Sequence, residues 1–294
     1  GGVSGGYFDL SENSRMAIAE IDFNVDDTTQ SIIAFLKRVT PLLVTADQQR
    51  VIDLSRSKYL GPDAAALVYA LWLEGRLDSR PCEVRLPSEP ESLAAFCEFS
   101  GLNHRLLGGV PPNPEHPESE TVPVNDFKKP LANQAYPIIK LIQRHTELAK
   151  DVEEYLYICF NEVAQNIDDH SGSPIGGVSC ARFMRQRNEI RVAIVDRGRG
   201  ITETLRRRYN IVDARDALSR VIQGGHTSKS LETNQGLGIS NMALVVKNSG
   251  GTLMIVSDDA YVESRAGQPP VVQRLGFVFK GTAVFFRLPL ATVP

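Results

Sequence analysis

An apolar stripe follows a helix-like stretch in the second half of the chain. Its members recur every three or four residues, which is the spacing of one helical face. They are Leu156, Phe160, Val163 and Ile167. A second row, Glu162, Asn166 and His170, steps by four along the shoulder of this stripe. An acid, an amide and an imidazole there indicate either a solvated helix shoulder or polar groups placed over a cavity.

The first half of the chain alternates strand-like and helix-like patterns, which predicts an α/β layer. The strand-like stretches are residues 16–23, 50–54 and 81–86. The helix-like stretches are residues 28–44, 64–77 and 91–107. The next stretch, residues 109–130, is rich in proline and poor in apolar residues, so it is typical of an extended, exposed linker. Helical patterning resumes at residues 131–150 and leads into the striped helix.

Length and composition indicate a globular protein with two domains, each with its own core. We predict a flexible N terminus at 1–14, an α/β domain at 15–108, the linker at 109–130 and a second domain at 131–294. With 42% hydrophobic residues, 23% charged residues and a net charge of −3, nucleic acid is not an expected partner. No apolar run reaches the length needed to span a membrane. The four scattered cysteines are typical of free thiols in a reducing, cytoplasmic compartment, without a zinc site.

The first domain resembles the STAS domain, a small α/β module of anti-sigma-factor antagonists and transporter tails. The matching residues are Val51 to Leu54, Tyr59 to Asp63 with the helix that follows, and Ser100-Gly101-Leu102. A generic α/β domain is the alternative. Asp63 falls where regulated members carry a phosphorylatable serine, so the resemblance implies a constitutive protein-docking surface.

The strand-like residues 189–195 end in Asp196-Arg197-Gly198-Arg199-Gly200-Ile201. Two glycines directly after a strand let the backbone turn sharply and approach a ligand. Farther on, Gly236-Leu237-Gly238 opens a helix, which presents backbone N–H groups and a positive dipole end to an anion. The spacing is neither that of a P-loop nor that of a dinucleotide-binding fingerprint.

Four motifs therefore follow one another: Glu-x-x-x-Asn on a helix, Asp-x-Gly-x-Gly after a strand, Gly-x-Gly opening a helix, and Gly-Thr in a final strand. In this order they resemble the GHKL superfamily of ATP-binding domains over residues 135–290. That superfamily includes gyrase-type topoisomerases, ninety-kilodalton heat-shock chaperones, histidine kinases, mismatch-repair ATPases and anti-sigma serine kinases. The resemblance implies a Bergerat sandwich, in which helices cover a mixed sheet, and thus an α/β (α+β) protein overall.

The resemblance also implies roles for individual residues. Asn166 matches the amide that coordinates Mg²⁺, and Glu162 matches the acid that activates the attacking water or hydroxyl. Asp196 matches the carboxylate that accepts from the adenine amino group, and Thr282 matches the hydroxyl that assists it. His170 matches a residue of the serine-kinase and stand-alone members.

Glycines and a mobile segment complete the implied ATP site. Gly198 and Gly200, next to Ile201, would leave room for the base, and Gly236, Leu237 and Gly238 match the phosphate-side turn. Residues 201–235 would form a lid. Within the lid, Thr227, Ser228 and Lys229 resemble a stretch of the mismatch-repair branch in which the lysine offsets phosphate charge; a solvated loop lysine is the alternative.

Two residues argue against a histidine-kinase role. Asp169 stands three residues after Asn166, where many histidine kinases carry a lysine or arginine, and its carboxylate would repel phosphate unless it is turned away. His145 precedes Thr146-Glu147-Leu148, but it lies too close to Glu162 for a dimerisation hairpin. We therefore interpret His145 as a solvated helix residue.

The sequence leads to two functional hypotheses. The first is an ATP-binding enzyme that uses Mg²⁺ to hydrolyse ATP or to transfer its γ-phosphate to a protein serine. The second is a nucleotide-gated signalling module, whose ATP-ordered lid controls the binding of a regulatory or STAS-like protein without significant turnover. A homodimer is compatible with both, and the sequence identifies neither the partner nor the pathway.

Overall fold

A computed structural model of the protein describes residues 16–26, 28–44, 49–113, 120–128, 135–147, 150–223 and 238–290. Strands alternate with helices up to residue 107, and these strands form one sheet. The strands that follow form a second sheet. Among the described residues, no helix is long and apolar enough to cross a membrane.

The first sheet is parallel and has three strands in the order β1-β2-β3. Its strands are β1 (Met16–Glu20), β2 (Gln49–Asp53) and β3 (Cys82–Arg85). Helices α1 (Thr29–Val44) and α2 (Pro62–Leu77) connect them, as parallel neighbours require. The helical pattern at 91–107 forms two helices, α3 (Glu91–Phe99) and α4 (Leu102–Leu107), because Gly101 takes a left-handed φ of 75° between them.

The second sheet has five strands in the order β4-β5-β6-β8-β7. Its strands are β4 (Thr121–Phe127), β5 (Gly177–Met184), β6 (Glu189–Asp196), β7 (Thr252–Arg265) and β8 (Val271–Pro289). Every described pair is antiparallel, so the expectation of a mixed sheet is wrong. β4 lies inside the predicted linker, which is therefore not an exposed connection over that part. An edge strand tolerates Pro123, and the pairing shifts register between Val122 and Asn125.

Helices cover the face of the second sheet that carries the even-numbered residues of β6 and β8. They are α5 (Tyr136–Gln143), α6 (Lys150–Asn166), α7 (Gly200–Arg206), α8 (Ala214–Gln223) and α9 (Gly238–Asn248). The stripe predicted for α6 is confirmed, because Phe160 and Val163 are buried in one core with Phe286 and Leu288. α6 ends in a π-helical turn, Ile167–Ser171. The helix predicted from residue 131 to residue 150 is instead α5, which ends at Gln143 before α6 begins.

Helix α2 covers the opposite face of the second sheet. Its sequence is apolar on all sides, and Ala66, Leu67 and Ala70 are fully buried, as expected for a helix between two layers. They share one core with the β-sheet residues Val178 and Val195. The prediction of a separate core for each domain is therefore wrong for the first domain, whose core is shared with one face of the antiparallel sheet. The other face of that sheet and its covering helices form a core of their own. The order of layers is parallel sheet, α2, antiparallel sheet and covering helices.

Candidate functional site

A cleft lies between the C-terminal part of α6, the end of β6, the middle of β8, and helices α7, α8 and α9. The empty space between its described walls, counted out to open solvent, is about 810 Å³. Six residues selected from the sequence line it together: Asn166, His170, Asp196, Gly200, Ile201 and Thr282. They come from three separate segments of the chain, so the sheet and the helix layer must both form before this site exists.

The shoulder of α6 supplies Asn166, and the π-helical turn supplies His170. Both are half-buried, as a polar row beside a core stripe should be. A π-helical turn widens the helix locally and is frequent at functional sites. Glu162 lies one helical turn before Asn166 and is also half-buried, but it is not among the described residues that line the cleft. Burial, together with the nearby negative charge of Glu162, raises the pKa of the Cys159 thiol to about 12.

Asp196 ends β6 directly opposite Thr282 of β8. Its carboxylate is 3% exposed and accepts a hydrogen bond of 2.8 Å from the backbone N–H of Gly198. Backbone and side-chain hydrogen bonds from Thr282 also favour the charged form, but burial outweighs them and raises the pKa of Asp196 to about 7. A desolvated carboxylate with a cleft before it is well suited to accept a hydrogen bond from a buried ligand donor.

The space beside Gly198 is occupied by the Ser171 backbone and not by the cleft. A Cβ on Gly198 would lie 2.2 Å from the carbonyl oxygen of Ser171, and Gly198 does not line the cleft. The next residue, Arg199, donates its backbone N–H to that Ser171 carbonyl at 2.8 Å. The Arg199 guanidinium donates to the carbonyl oxygen of His170 at 2.8 and 3.2 Å. This contact joins the Asp196 loop to the π-helical turn and so fixes the two sides of the cleft relative to each other.

Gly200 begins α7 with a φ of 82°, a conformation that favours glycine. A Cβ there would lie 2.6 Å from Asp258 Oδ1, so the glycine is needed for packing as well as for the turn. Asp258 accepts the backbone N–H of Thr202 at 3.1 Å, and Ser257 Oγ accepts that of Ile201 at 2.9 Å. These contacts satisfy N–H groups at the first turn of α7. No local pattern around Gly200 indicates these contacts, because Ser257 lies more than fifty residues farther along the chain.

The inner walls of the cleft are apolar. Ile194 pairs with Val284 one pleat below the Asp196–Thr282 pair, and both side chains line the cleft. The sequence motifs did not indicate them, although the strand alternation that places Asp196 and Thr282 on one face also places Ile194 and Val284 there. The other lining residues that the motifs did not indicate come mainly from helices. They are Val163, Ile167, Ser171, Thr204, Leu205, Val221, Ile239 and Ser240.

The phosphate-side predictions mostly lie outside the described residues. This applies to Thr227, Ser228, Lys229, Gly236 and Leu237. Gly238 is described as the first residue of α9, and its neighbours Ile239 and Ser240 line the cleft. The start of α9 therefore faces the same space as Asp196 and Asn166.

The structure also describes Asp169 and His145, the two residues used above to argue against a histidine-kinase role. Asp169 is exposed, accepts a hydrogen bond of 2.9 Å from Gln165 Nε2, and is not among the residues lining the cleft. His145 is half-buried rather than solvated, because its ring stacks on Phe183 at 3.6 Å and its Nε2 lies 2.6 Å from Glu120 Oε2.

The raised pKa of Asp196 predicts how stability changes with pH in the absence of nucleotide. Folding raises this pKa from 3.8 to about 7. Between these two pH values, the Asp196 carboxyl therefore keeps its proton in the folded protein and loses it in the unfolded chain. The contribution to stability is therefore full below pH 4 and is lost as pH rises through 7. Relative to Asp196→Asn, the wild type should lose about 2–3 kcal/mol of unfolding free energy between pH 5 and pH 8.

Urea unfolding of both proteins at the two pH values measures this difference. Asp168→Asn on the adjacent π-helical turn is the matched control, because Asp168 is exposed. The control should follow the wild type. Parallel pH profiles for the wild type and Asp196→Asn would contradict the assignment.

The residues present fit an adenine nucleotide with a magnesium ion. Apolar walls beside one carboxylate suit a base with an amino donor, and an amide oxygen suits Mg²⁺. Among the described residues, no group of three or more His, Cys, Asp or Glu side chains could hold a metal ion. Besides Asn166, such an ion would take its oxygen ligands largely from phosphate and water.

Comparison with known proteins agrees with this geometry. Residues 151–292 match the family model described as histidine kinase-, DNA gyrase B-, and HSP90-like ATPase. The GHKL resemblance is confirmed for this segment. A helix-covered antiparallel sheet fits such a domain, and the match supports an ATP-binding function of the GHKL type. No match to curated proteins was found for the chain. The matched segment does not include the three-stranded sheet, so its STAS resemblance stays a prediction.

Proposed function

We propose that the cleft binds ATP with its adenine against Asp196 and its phosphates toward Asn166 and the start of α9. The observation that carries this proposal is the convergence of Asp196, Thr282 and Asn166 on one cleft. Asp196 would accept from the adenine amino group, assisted by Thr282, while Ile194 and Val284 pack against the base. Asn166 would provide one oxygen ligand for Mg²⁺, whose charge offsets that of the phosphates.

We further propose that the bound ATP is hydrolysed or passes its γ-phosphate to a serine of a protein partner. Glu162 would act as the base that orients and deprotonates the attacking water or hydroxyl. Its place one helical turn from Asn166 keeps the base near the phosphate end and away from the adenine. Thr227, Ser228, Lys229, Gly236, Leu237 and Gly238 would complete the phosphate site.

Nucleotide-gated partner binding is the second candidate. It is favoured by the position of α2, which packs on the other face of the antiparallel sheet that carries the cleft. A displacement of these strands on ATP binding would therefore act on α2 and, through its packed side chains, on the parallel sheet. In that case ATP would control a surface for a regulatory protein, and turnover would be incidental.

Isothermal titration calorimetry with ATP and GTP, each with and without Mg²⁺, tests the binding proposal. We expect ATP to bind at least 100-fold more tightly than GTP, because guanine has a carbonyl oxygen where adenine presents its amino group to Asp196. We also expect Mg²⁺ to strengthen ATP binding. Equal affinity for the two nucleotides would exclude the adenine assignment.

A further inference from the structure

One of the two buried acidic side chains of the largely apolar helix α2 lies on the back of the sheet that carries the cleft. The Glu74 side chain is 8% exposed. It lies near the end of the helix among buried residues such as Leu71 and Gly75. A carboxylate seldom remains buried unless it is paired, so its partners indicate what it does there.

The first partner is Arg197, the residue between Asp196 and Gly198. Strand alternation places Asp196 on the cleft face of β6 and Arg197 on the α2 face. Arg197 is 2% exposed, and its Nε donates to Glu74 Oε2 at 2.7 Å. Its guanidinium also donates to the Lys280 carbonyl at 2.5 Å and lies 4.7 Å from the centre of the Phe279 ring.

The second partner is Lys280, which precedes Gly281 and Thr282 in β8. Lys280 Nζ lies 3.1 Å from Glu74 Oε1, although the lysine side chain is 59% exposed. Gly281 allows the close approach of β8 to the Asp196 backbone, since a Cβ on Gly281 would lie 2.2 Å from the Asp196 carbonyl oxygen. The Glu74 carboxylate thus pairs with Arg197, which follows β6, and with Lys280 of β8. Both partners lie within two positions of the Asp196–Thr282 pair.

We propose that Glu74 is a positioning residue for adenine recognition, acting through Arg197 and Lys280. A buried ion pair is weak evidence for stability but fixes geometry, since charged hydrogen bonds tolerate little displacement. Glu74 thereby sets where the Asp196 carboxylate and the Thr282 hydroxyl stand in the cleft. This inference rests on the proposed adenine site, and it gives α2 a part in nucleotide selection.

The test compares the affinities of two ligands in each variant. ATP carries the 6-amino group of adenine, and purine riboside triphosphate lacks it, so the affinity ratio isolates recognition of that group. We expect Glu74→Gln, which keeps the size of the side chain but removes its charge, to lower this ratio about tenfold. A general loss of stability would weaken both ligands alike and leave the ratio unchanged.

Tyr69→Phe is the matched control on the same helix. The Tyr69 hydroxyl donates at 2.9 Å to Asp126 of β4, the strand at the edge of the sheet. This variant also loses a hydrogen bond between α2 and the sheet, but at a site away from Asp196. It should therefore keep the wild-type ratio of the affinities for ATP and purine riboside triphosphate.

Failure of the two proposals can be told apart. A wild type without preference for ATP over purine riboside triphosphate would exclude the adenine site itself. A wild type that has this preference and a Glu74→Gln variant that retains it would overturn the role of Glu74. If Glu74→Gln does not fold, Lys280→Met replaces an exposed side chain of the same network; we expect about a threefold lower ratio, and an unchanged ratio would overturn the inference.

Discussion

Asn166→Ala is expected to weaken the Mg²⁺-dependent binding of ATP at least 100-fold, whereas Glu162→Ala should leave ATP affinity within about threefold. The two side chains lie one turn apart on α6, but only Asn166 lines the cleft. Under the proposed function, removal of the amide would deprive the ion of a protein oxygen ligand. Removal of the acid would deprive the reaction of its proposed base, and such a base typically contributes about 10²–10⁴ to the rate.

Calorimetry with Mg²⁺ and ATP measures affinity, and single-turnover assays with labelled ATP measure the chemical step. Gln165→Ala is the matched control, because Gln165 is on the same helical turn but its side chain donates to the exposed Asp169. Full Mg²⁺-dependent affinity in Asn166→Ala would contradict the role of the amide. Wild-type turnover in Glu162→Ala would contradict the role of the base, and a wild type with no turnover but with ATP-dependent partner binding would favour the gating function.

A chain that begins at residue 120, and so lacks the parallel sheet and α2, is expected not to form a stable monomer. Its antiparallel sheet would expose the face that α2 covers in the 294-residue chain. That face contains Val178, Cys180, Val195, Met254, Val256 and Phe285. At about 1.5–3 kcal/mol for each large apolar side chain, the lost burial is on the order of 10 kcal/mol, comparable to the whole stability of a typical domain.

Dye binding to exposed apolar surface, sedimentation and thermal unfolding measure the effect of this truncation. A chain that begins at residue 16 retains α2 and should behave like the 294-residue chain. Cooperative unfolding of a monomeric 120–294 fragment would show that the antiparallel half has a sufficient core of its own.

The elements that could be predicted from the sequence are those whose signal is local. The stripe of α6 has strict helical spacing, and Asp196 follows a clear strand and precedes two glycines. The spacing of Glu162, Asn166 and His170 places them on one shoulder wherever α6 packs. These motifs were sufficient to select six residues of the cleft.

The rest depends on contacts between distant segments. Helix α2 is apolar on all sides, which is typical of a helix covered twice, yet its sequence does not say which second surface covers it. Strand β4 is concealed by Pro123 and by the proline-rich residues around it, although an edge strand can accommodate proline. The pairing of Glu74 with Arg197 joins residues more than one hundred positions apart. No local pattern in a single sequence indicates such a pair.

In the proposed function, the motifs on α6, β6 and β8 surround a single ATP molecule. A crystal structure with Mg²⁺ and a non-hydrolysable ATP analogue tests it most directly. We expect the adenine amino group within hydrogen-bonding distance of the Asp196 carboxylate, and the ion bound by the Asn166 side chain. An analogue whose base lies outside the cleft, or an ion held without Asn166, would contradict the claim.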